Sequence, residues 1–111
     1  SSGAAVSGHR GWSGYGVSKA ALNMLIALYA AERPKTHFCA LAPGLVDTAM
    51  QESISEIDAG EEFPTIQRIQ SARGTETMPH PDQFARHAVD VFPKLTQYPS
   101  GSFQDIRSLK L

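Results

Sequence analysis

A tyrosine and a lysine four residues apart, Tyr15 and Lys19, stand just ahead of a long apolar run in the 111-residue sequence. Residues at this spacing lie on the same face of a helix, so the lysine charge can reach the phenol. A phenol, with a usual pKa of about 10, becomes a usable acid or base at neutral pH when a fixed positive charge stabilises its phenolate. The pair therefore meets the geometric condition for proton transfer at a reacting oxygen. The alternative is a chance pair at a helix start, since this spacing is common.

The segments around this pair predict a helix followed by a strand. Strong helix formers fill residues 13–33, and Pro34 ends the pattern. Apolar residues cover most of this helix's circumference, so we expect it to be buried on two sides, against a sheet and against another helix or subunit. The apolar segment 36–42, ended by Pro43 and Gly44, predicts a buried strand. Together they indicate an α/β layer structure.

The rest of the chain is more polar. Residues 47–81 contain several glycines and prolines and predict a surface excursion with a short helix around 65–72. Residues 81–92 predict a helix with one apolar face, and residues 102–106 predict a second strand. Two strands are too few for a doubly wound parallel sheet. The sequence therefore resembles the second half of a larger domain.

Three stretches resemble the short-chain dehydrogenase/reductase family in order and spacing. They are "YGVSK" with the Ala-rich helix after it, Ser2 in "SSG" thirteen residues before the tyrosine, and "APGLVDTAM" after the predicted strand. The late helix and "SGSFQDI" are also similar to this family, whereas residues 51–80 carry no match. The resemblance implies the C-terminal part of a doubly wound, Rossmann-type parallel sheet whose N-terminal cofactor half is absent. "GWSGYGVSKAALNM" and "APGLVDTAMQ" look most like the sepiapterin and benzil reductase branch.

The resemblance also implies a role for each matching residue. Tyr15 would be the general acid/base, Ser2 would hydrogen-bond the substrate oxygen, and Lys19 would stabilise the phenolate and bind the nicotinamide ribose. The turn at Pro43 and Gly44 would let the backbone approach the nicotinamide. The remaining cofactor contacts would be the main chain at Val46, to the carboxamide, and the hydroxyl of Thr48, to a phosphate oxygen. The hydride would come from the cofactor, predicted to be NADP with NAD as the alternative.

The family pattern divides the chain into a catalytic and nicotinamide-binding segment (1–50), a substrate loop (51–80), and a late helix with the final strand (81–111). It predicts reduction of a carbonyl compound, or oxidation of an alcohol, by a homodimer or homotetramer formed through the helix from Leu22 to Tyr29. The alternative is a truncated, non-catalytic oligomerisation or interaction module of the same origin. Retention of Ser2, Tyr15 and Lys19 together favours the enzyme, although the family's asparagine in the preceding helix is missing.

Composition argues against several other classes of protein. Ten basic and eleven acidic residues give a net charge of -1, and no Lys/Arg cluster indicates a nucleic-acid partner. The apolar run 20–31 is shorter than the roughly 20 residues of a membrane helix. Cys39 has no partner for an internal disulfide, fits a reducing, cytoplasmic setting, and is predicted to be a small core residue.

The motifs admit three competing interpretations. "GWSGY" begins like the hydrolase motif G-x-S-x-G, but Tyr15 stands where the last glycine is needed. "SSG" resembles a cloning scar, and Ser1 is an adjacent alternative to Ser2 with a spacing off by one. No metal is predicted, because the candidate groups lack a converging third ligand. These groups are His80 and His87 with Asp82, and His9 with His37.

Overall fold

The computed structural model describes residues 1–58 and 60–110, and the chain divides into two compact units. The sheet unit comprises Ser1–Gly44 and Asp90–Leu111, and the helical unit comprises Leu45–Val89. Both strands belong to the sheet unit and helices occur in both units, so the predicted α/β class is confirmed.

Helix α1 spans Ser13–Glu32, close to the predicted range, and ends just before Pro34. It packs on both strands of the sheet unit. Gly101, with a φ of +87°, permits a close approach, because a Cβ at this position would stand 2.9 Å from the Cβ of Ala30. A glycine in the left-handed region thus brings the helix and the sheet together.

The outer side of α1 is apolar and uncovered. No residue of this helix is buried, and Val17 is 71% exposed. The other large apolar side chains exposed on it are Met24, Leu25, Leu28 and Tyr29. The prediction of burial on two sides is therefore wrong for this chain taken alone, because its one small sheet can cover only one side of the helix.

The sheet contains strands β1, Cys39–Ala42, and β2, Ser102–Asp105, which pair in parallel. The second strand lies where it was predicted. The first starts later than predicted, because the chain opposite Phe38 is a turn. There Phe38 accepts a hydrogen bond from the Gly101 N–H at 2.8 Å, and its own N–H donates to Oγ of Ser100 at 3.0 Å.

Short 3-10 helices flank these elements, and small residues dominate the core of the sheet unit. The 3-10 helices of this unit are Gly3–Ala5, Phe92–Gln97 and Ile106–Ser108. The buried apolar residues of this unit are Ala40, Ala42, Val91 and Leu95. Cys39 is half-buried, and burial raises the pKa of its thiol, as expected for a packed rather than a reactive cysteine.

The helical unit is built from short helices. Their bounds are Ala49–Ser55 for α2, Pro64–Ala72 for α3 and Pro81–Val91 for α4, which runs past the unit's last residue. Helices α3 and α4 were predicted, whereas α2 was not. The buried apolar residues of this unit are Ile54, Ile69, Met78 and Ala88. Within the described residues, no helix combines the length and the apolar character needed to cross a bilayer.

Candidate active site

The first two turns of α1 place Tyr15 and Lys19 side by side. The Nζ atom of Lys19 lies 5.5 Å from the centroid of the Tyr15 ring. On another side, the ring of Trp12 meets the same tyrosine edge-on, with 5.5 Å between the centroids and an interplanar angle of 73°. All three side chains are half-buried. The phenol is thus held by an aromatic neighbour and lies next to a fixed positive charge.

Ser2 lies in a short turn that packs against the start of α1. Its Oγ accepts a hydrogen bond from the Ala4 N–H at 3.2 Å and so caps the 3-10 helix Gly3–Ala5. The turn can approach α1 because Gly16 has no side chain, and a Cβ there would stand 3.1 Å from the Ala4 carbonyl oxygen. Gly16 directly follows Tyr15, so the serine turn packs beside the tyrosine's own segment of the helix.

The role of Gly16 was missed from the sequence, although a signal was present. A glycine inside a helix costs about 0.5–1 kcal/mol relative to alanine. Such a residue therefore needs a reason, which is often the close approach of another segment. Here the approaching segment is the one that carries Ser2.

Ser1 and Ser2 differ in their hydrogen-bond partners. The Ser1 hydroxyl donates to Oδ1 of Asn23 on α1 at 2.6 Å, and the Ser1 nitrogen donates to the carbonyl of Leu41 at 2.7 Å. Ser1 therefore ties this turn to β1 and to α1. The Ser2 hydroxyl accepts the bond from the Ala4 N–H, and within the described residues its own proton has no acceptor.

The chain turns sharply after β1 at Pro43 and Gly44, as predicted. Gly44 has a φ of +75°, and a Cβ at this position would stand 3.2 Å from Cδ of Arg107. The guanidinium of Arg107 forms a fork with the carboxylate of Asp105, with Nε–Oδ1 at 2.9 Å and Nη2–Oδ2 at 2.6 Å. These hydrogen bonds lower the pKa of Asp105 and raise that of Arg107. Sequence reasoning missed this pair, whose only signal is an Asp-x-Arg spacing at the end of a strand.

The other two predicted cofactor residues belong to the helical unit. Val46 is half-buried in the segment before α2. Thr48 is exposed and precedes α2, where its backbone is extended and its hydroxyl makes no capping hydrogen bond. The intervening Asp47 is fixed by its N–H, which donates to the carbonyl of Pro79 at 2.9 Å, and by an ion pair with Arg73 at 3.6 Å.

The helical unit also has an open depression of about 430 Å³, which contains none of the predicted site residues. Its lining includes Asp47, Met78 and His80. Across residues 1–58 and 60–110, no group of three or more His, Cys, Asp or Glu side chains is arranged to hold a metal ion.

Comparison with known proteins identifies relatives of this chain. Residues 1–59 match the family model described as short chain dehydrogenase. Benzil reductase ((S)-benzoin forming) IRC24 of Saccharomyces cerevisiae is 52% identical over 58 residues, which cover 50% of this chain and 22% of that protein. The benzil reductase ((S)-benzoin forming) of Bacillus subtilis is 30% identical over 110 residues, which cover 96% of this chain and 44% of that protein.

Two solved structures share the fold. The KRED1-Pglu enzyme superposes with a TM-score of 0.73 at 29% identity, covering 94% of this chain and 44% of that chain. The YIR035C short chain dehydrogenases/reductase of Saccharomyces cerevisiae gives a TM-score of 0.70 at 26% identity, covering 95% and 43%. The chain thus spans less than half the length of these relatives. The matched family model, which covers all of the predicted site residues, shows that the chain belongs to the short chain dehydrogenase family.

Proposed function

We propose that this chain carries the catalytic part of an NAD(P)-dependent oxidoreductase that reduces a carbonyl compound, or oxidises the corresponding alcohol. The main support is the position of the Lys19 ammonium, 5.5 Å from the centroid of the Tyr15 ring. The serine turn packed beside the same helix supplies a second hydroxyl. A phenol, an ammonium and a hydroxyl on adjoining segments form a set suited to proton transfer at a substrate oxygen.

In the reducing direction, the carbonyl carbon gains a hydride and its oxygen gains a proton. When bound, the nicotinamide cofactor supplies the hydride and leaves in its oxidised form. Tyr15 gives its hydroxyl proton to the developing alkoxide, and Ser2 donates a hydrogen bond to the same oxygen. The phenolate left on Tyr15 is stabilised by the positive charge of Lys19. In the oxidising direction, the phenolate would accept the proton of the alcohol, and the carbon's hydride would go to the oxidised cofactor.

The residues present suit a nicotinamide nucleotide. The Lys19 ammonium has three donors for the hydroxyl groups of a ribose, and Tyr15 can share them from the adjacent turn. Beyond β1, the left-handed Gly44 presents main chain without a side chain of its own. The backbone of Val46 and the uncommitted hydroxyl of Thr48 would hold the carboxamide and a phosphate oxygen. We propose NADPH as the cofactor.

The proposed substrate is an aromatic ketone or diketone. Two of the relatives are named benzil reductases, and Trp12 provides an aromatic surface beside Tyr15. An apolar wall next to the proton donor would orient a flat aromatic carbonyl compound. A cytoplasmic location, expected from the lone cysteine, stays a prediction.

The test is turnover of benzil by the full-length protein that carries this chain. Tyr15→Phe keeps the ring and removes the proton, so turnover should fall by about 10²- to 10⁴-fold while NADPH affinity stays nearly unchanged. Tyr98→Phe is the matched control, because that hydroxyl only accepts a hydrogen bond from the Lys110 N–H at 3.2 Å. Wild-type turnover in Tyr15→Phe would contradict the proposal. Turnover measured in parallel with NADH and with NADPH shows which cofactor the enzyme prefers.

The apolar side of α1 supports a second proposal, that two or more copies associate through the segment from Leu22 to Tyr29. Leu25 and Leu28 are about half exposed in the chain alone, and each large apolar side chain withdrawn from water contributes about 1.5–3 kcal/mol. Leu28→Glu should therefore lower the mass measured by light scattering, whereas Val6→Glu, at an exposed position outside the helix, should not. If the wild-type full-length protein shows no turnover of carbonyl compounds and Leu28→Glu still dissociates it, the non-catalytic interaction module is the better interpretation.

A further inference from the structure

The fork between Asp105 and Arg107 lies at the edge of the sheet where both strands end. Asp105 is the last residue of β2 and stands opposite Ala42, the last residue of β1. In parallel α/β sheets, ligands bind outside the carboxyl ends of the strands. The fork therefore occupies the edge from which the turn at Gly44 departs.

The Asp105 carboxylate fixes Arg107 at three points. It accepts hydrogen bonds from Nε and Nη2 of the guanidinium, and also from the Arg107 backbone N–H at 2.9 Å. The carboxylate side chain is only 18% exposed, whereas the arginine side chain is 61% exposed. A bidentate, charge-assisted pair of this kind holds the guanidinium plane in one orientation.

From this fixed position, Arg107 lies against two glycines on different segments. The position that a Cβ would take at Gly44 is 3.2 Å from Cδ and 3.5 Å from Nε of the arginine. The equivalent position at Gly3, next to Ser2, is 3.8 Å from Nη2. One side chain thus lies beside both the turn after β1 and the turn that carries the serine.

We propose that Arg107 is a positioning residue, which with Asp105 holds the Gly44 turn and the Ser2 turn in the arrangement that receives the nicotinamide end of the cofactor. The inference rests on the proposed function, because it takes the Gly44 turn as the nicotinamide side of the site. Loss of the fork should release both turns, and should therefore weaken binding of the nicotinamide end of the cofactor more than binding of its adenylate end.

The test compares two ligands on the full-length protein that carries this chain. Arg107→Met keeps the side-chain length but removes the fork, so the Kd for NADPH should rise severalfold, up to about fivefold for a partly exposed ion pair. The Kd for the adenylate half of the cofactor alone should not change. Arg107→Lys should behave like Arg107→Met, because an ammonium cannot form the bidentate pair. Lys110→Met removes a nearby exposed charge and should change neither constant.

Asp105→Asn also removes the fork, from the carboxylate side. This variant tests the proposal if Arg107→Met does not fold. It should weaken NADPH selectively and raise the KM for NADPH more than it lowers kcat. Equal weakening of both ligands, wild-type affinity in both fork variants, or full rescue by Arg107→Lys would overturn the inference. Retained turnover in Tyr15→Phe would instead overturn the proposed function, so the two failures are distinguishable.

Discussion

The sheet unit and the helical unit fix their residues in different ways. In the sheet unit, the strand ladder and the close approach at Gly16 fix main-chain segments directly. In the helical unit, side chains do more of this, as where the Gln70 amide donates to the carbonyls of Ile54 and Ile57. Main-chain contacts allow few alternative conformations of the segments they join, whereas a side-chain contact can be replaced by another side chain without moving the backbone. Precise chemistry is therefore expected in the first unit and adjustable recognition in the second.

Among the variants that test this contrast between the units, substitution of Lys19 should have the largest effect on turnover. Lys19→Met removes the charge beside Tyr15, so turnover should fall by roughly 10²-fold or more and NADPH should bind less tightly. Steady-state kinetics provide both values. Lys35→Met, which removes an exposed charge just beyond α1, is the control and should change neither. Wild-type turnover in Lys19→Met would contradict the electrostatic role.

A matched pair of glycines compares the units directly. Gly44 and Gly74 have φ values of +75° and +79°, so alanine at either should cost about 1–2 kcal/mol of unfolding free energy. A Cβ at Gly44 also meets Arg107, whereas nothing lies within 4 Å of one at Gly74. Denaturant unfolding should therefore show similar losses, while only Gly44→Ala raises the KM for NADPH. An equal effect of both variants on kinetics would break the contrast between the units.

A smaller effect is expected from the core of the helical unit. Ile69 is buried, so Ile69→Val should lower the free energy of unfolding by about 0.5–1.5 kcal/mol. Ile69 belongs to the unit in which side-chain contacts can be replaced without moving the backbone. The kcat of Ile69→Val with a small substrate should therefore equal that of the wild type within error. Val89→Ala, at a position that is largely exposed, is the control for stability. A loss of kcat in Ile69→Val would show that this unit holds the chemistry as strictly as the sheet unit does.

The smallest effect is the pH dependence of the fork. Hydrogen bonds from Arg107 lower the pKa of Asp105 in the folded protein. The ionised carboxylate therefore adds to the free energy of unfolding above the ordinary pKa of an aspartate. This added stability is lost as the pH falls through the lower pKa of the folded state. The exposure of Arg107 keeps this contribution below about 1 kcal/mol. Acid unfolding of Asp105→Asn should show a shallower loss of stability over that window than the wild type. Identical slopes would contradict a fork that persists in solution.

Most helices and both strands could be predicted from local pattern. Helix α1 has a continuous run of helix formers ended by Pro34, and α4 has a clear apolar face. Helix α2 was not predicted, because its only buried residue is Ile54 and Thr48 makes no capping bond, so neither periodicity nor a cap marks it. Local signals are simply too weak in such a short, polar helix.

The candidate site was predictable where its residues are neighbours along one helix. The spacing of Tyr15 and Lys19 fixes their contact, because helix geometry alone brings them together. The contact of Arg107 with Gly44 depends instead on the pairing of two strands far apart in the chain. No local spacing encodes such a contact, so only the tertiary structure identifies Arg107.

The parallel pairing of β1 with β2 has a consequence for how the chain tolerates changes in length. Contacts beside this ladder join residues 62 positions apart, Phe38 and Ser100, and the entire helical unit lies between them in sequence. The entropy of closing such a long loop grows only logarithmically, so doubling the intervening length would cost only about 0.6 kcal/mol more. Insertions or deletions in the helical unit should therefore leave strand pairing nearly unaffected. A change in the length of this segment would therefore leave unaltered the edge of the sheet where the chemistry is proposed.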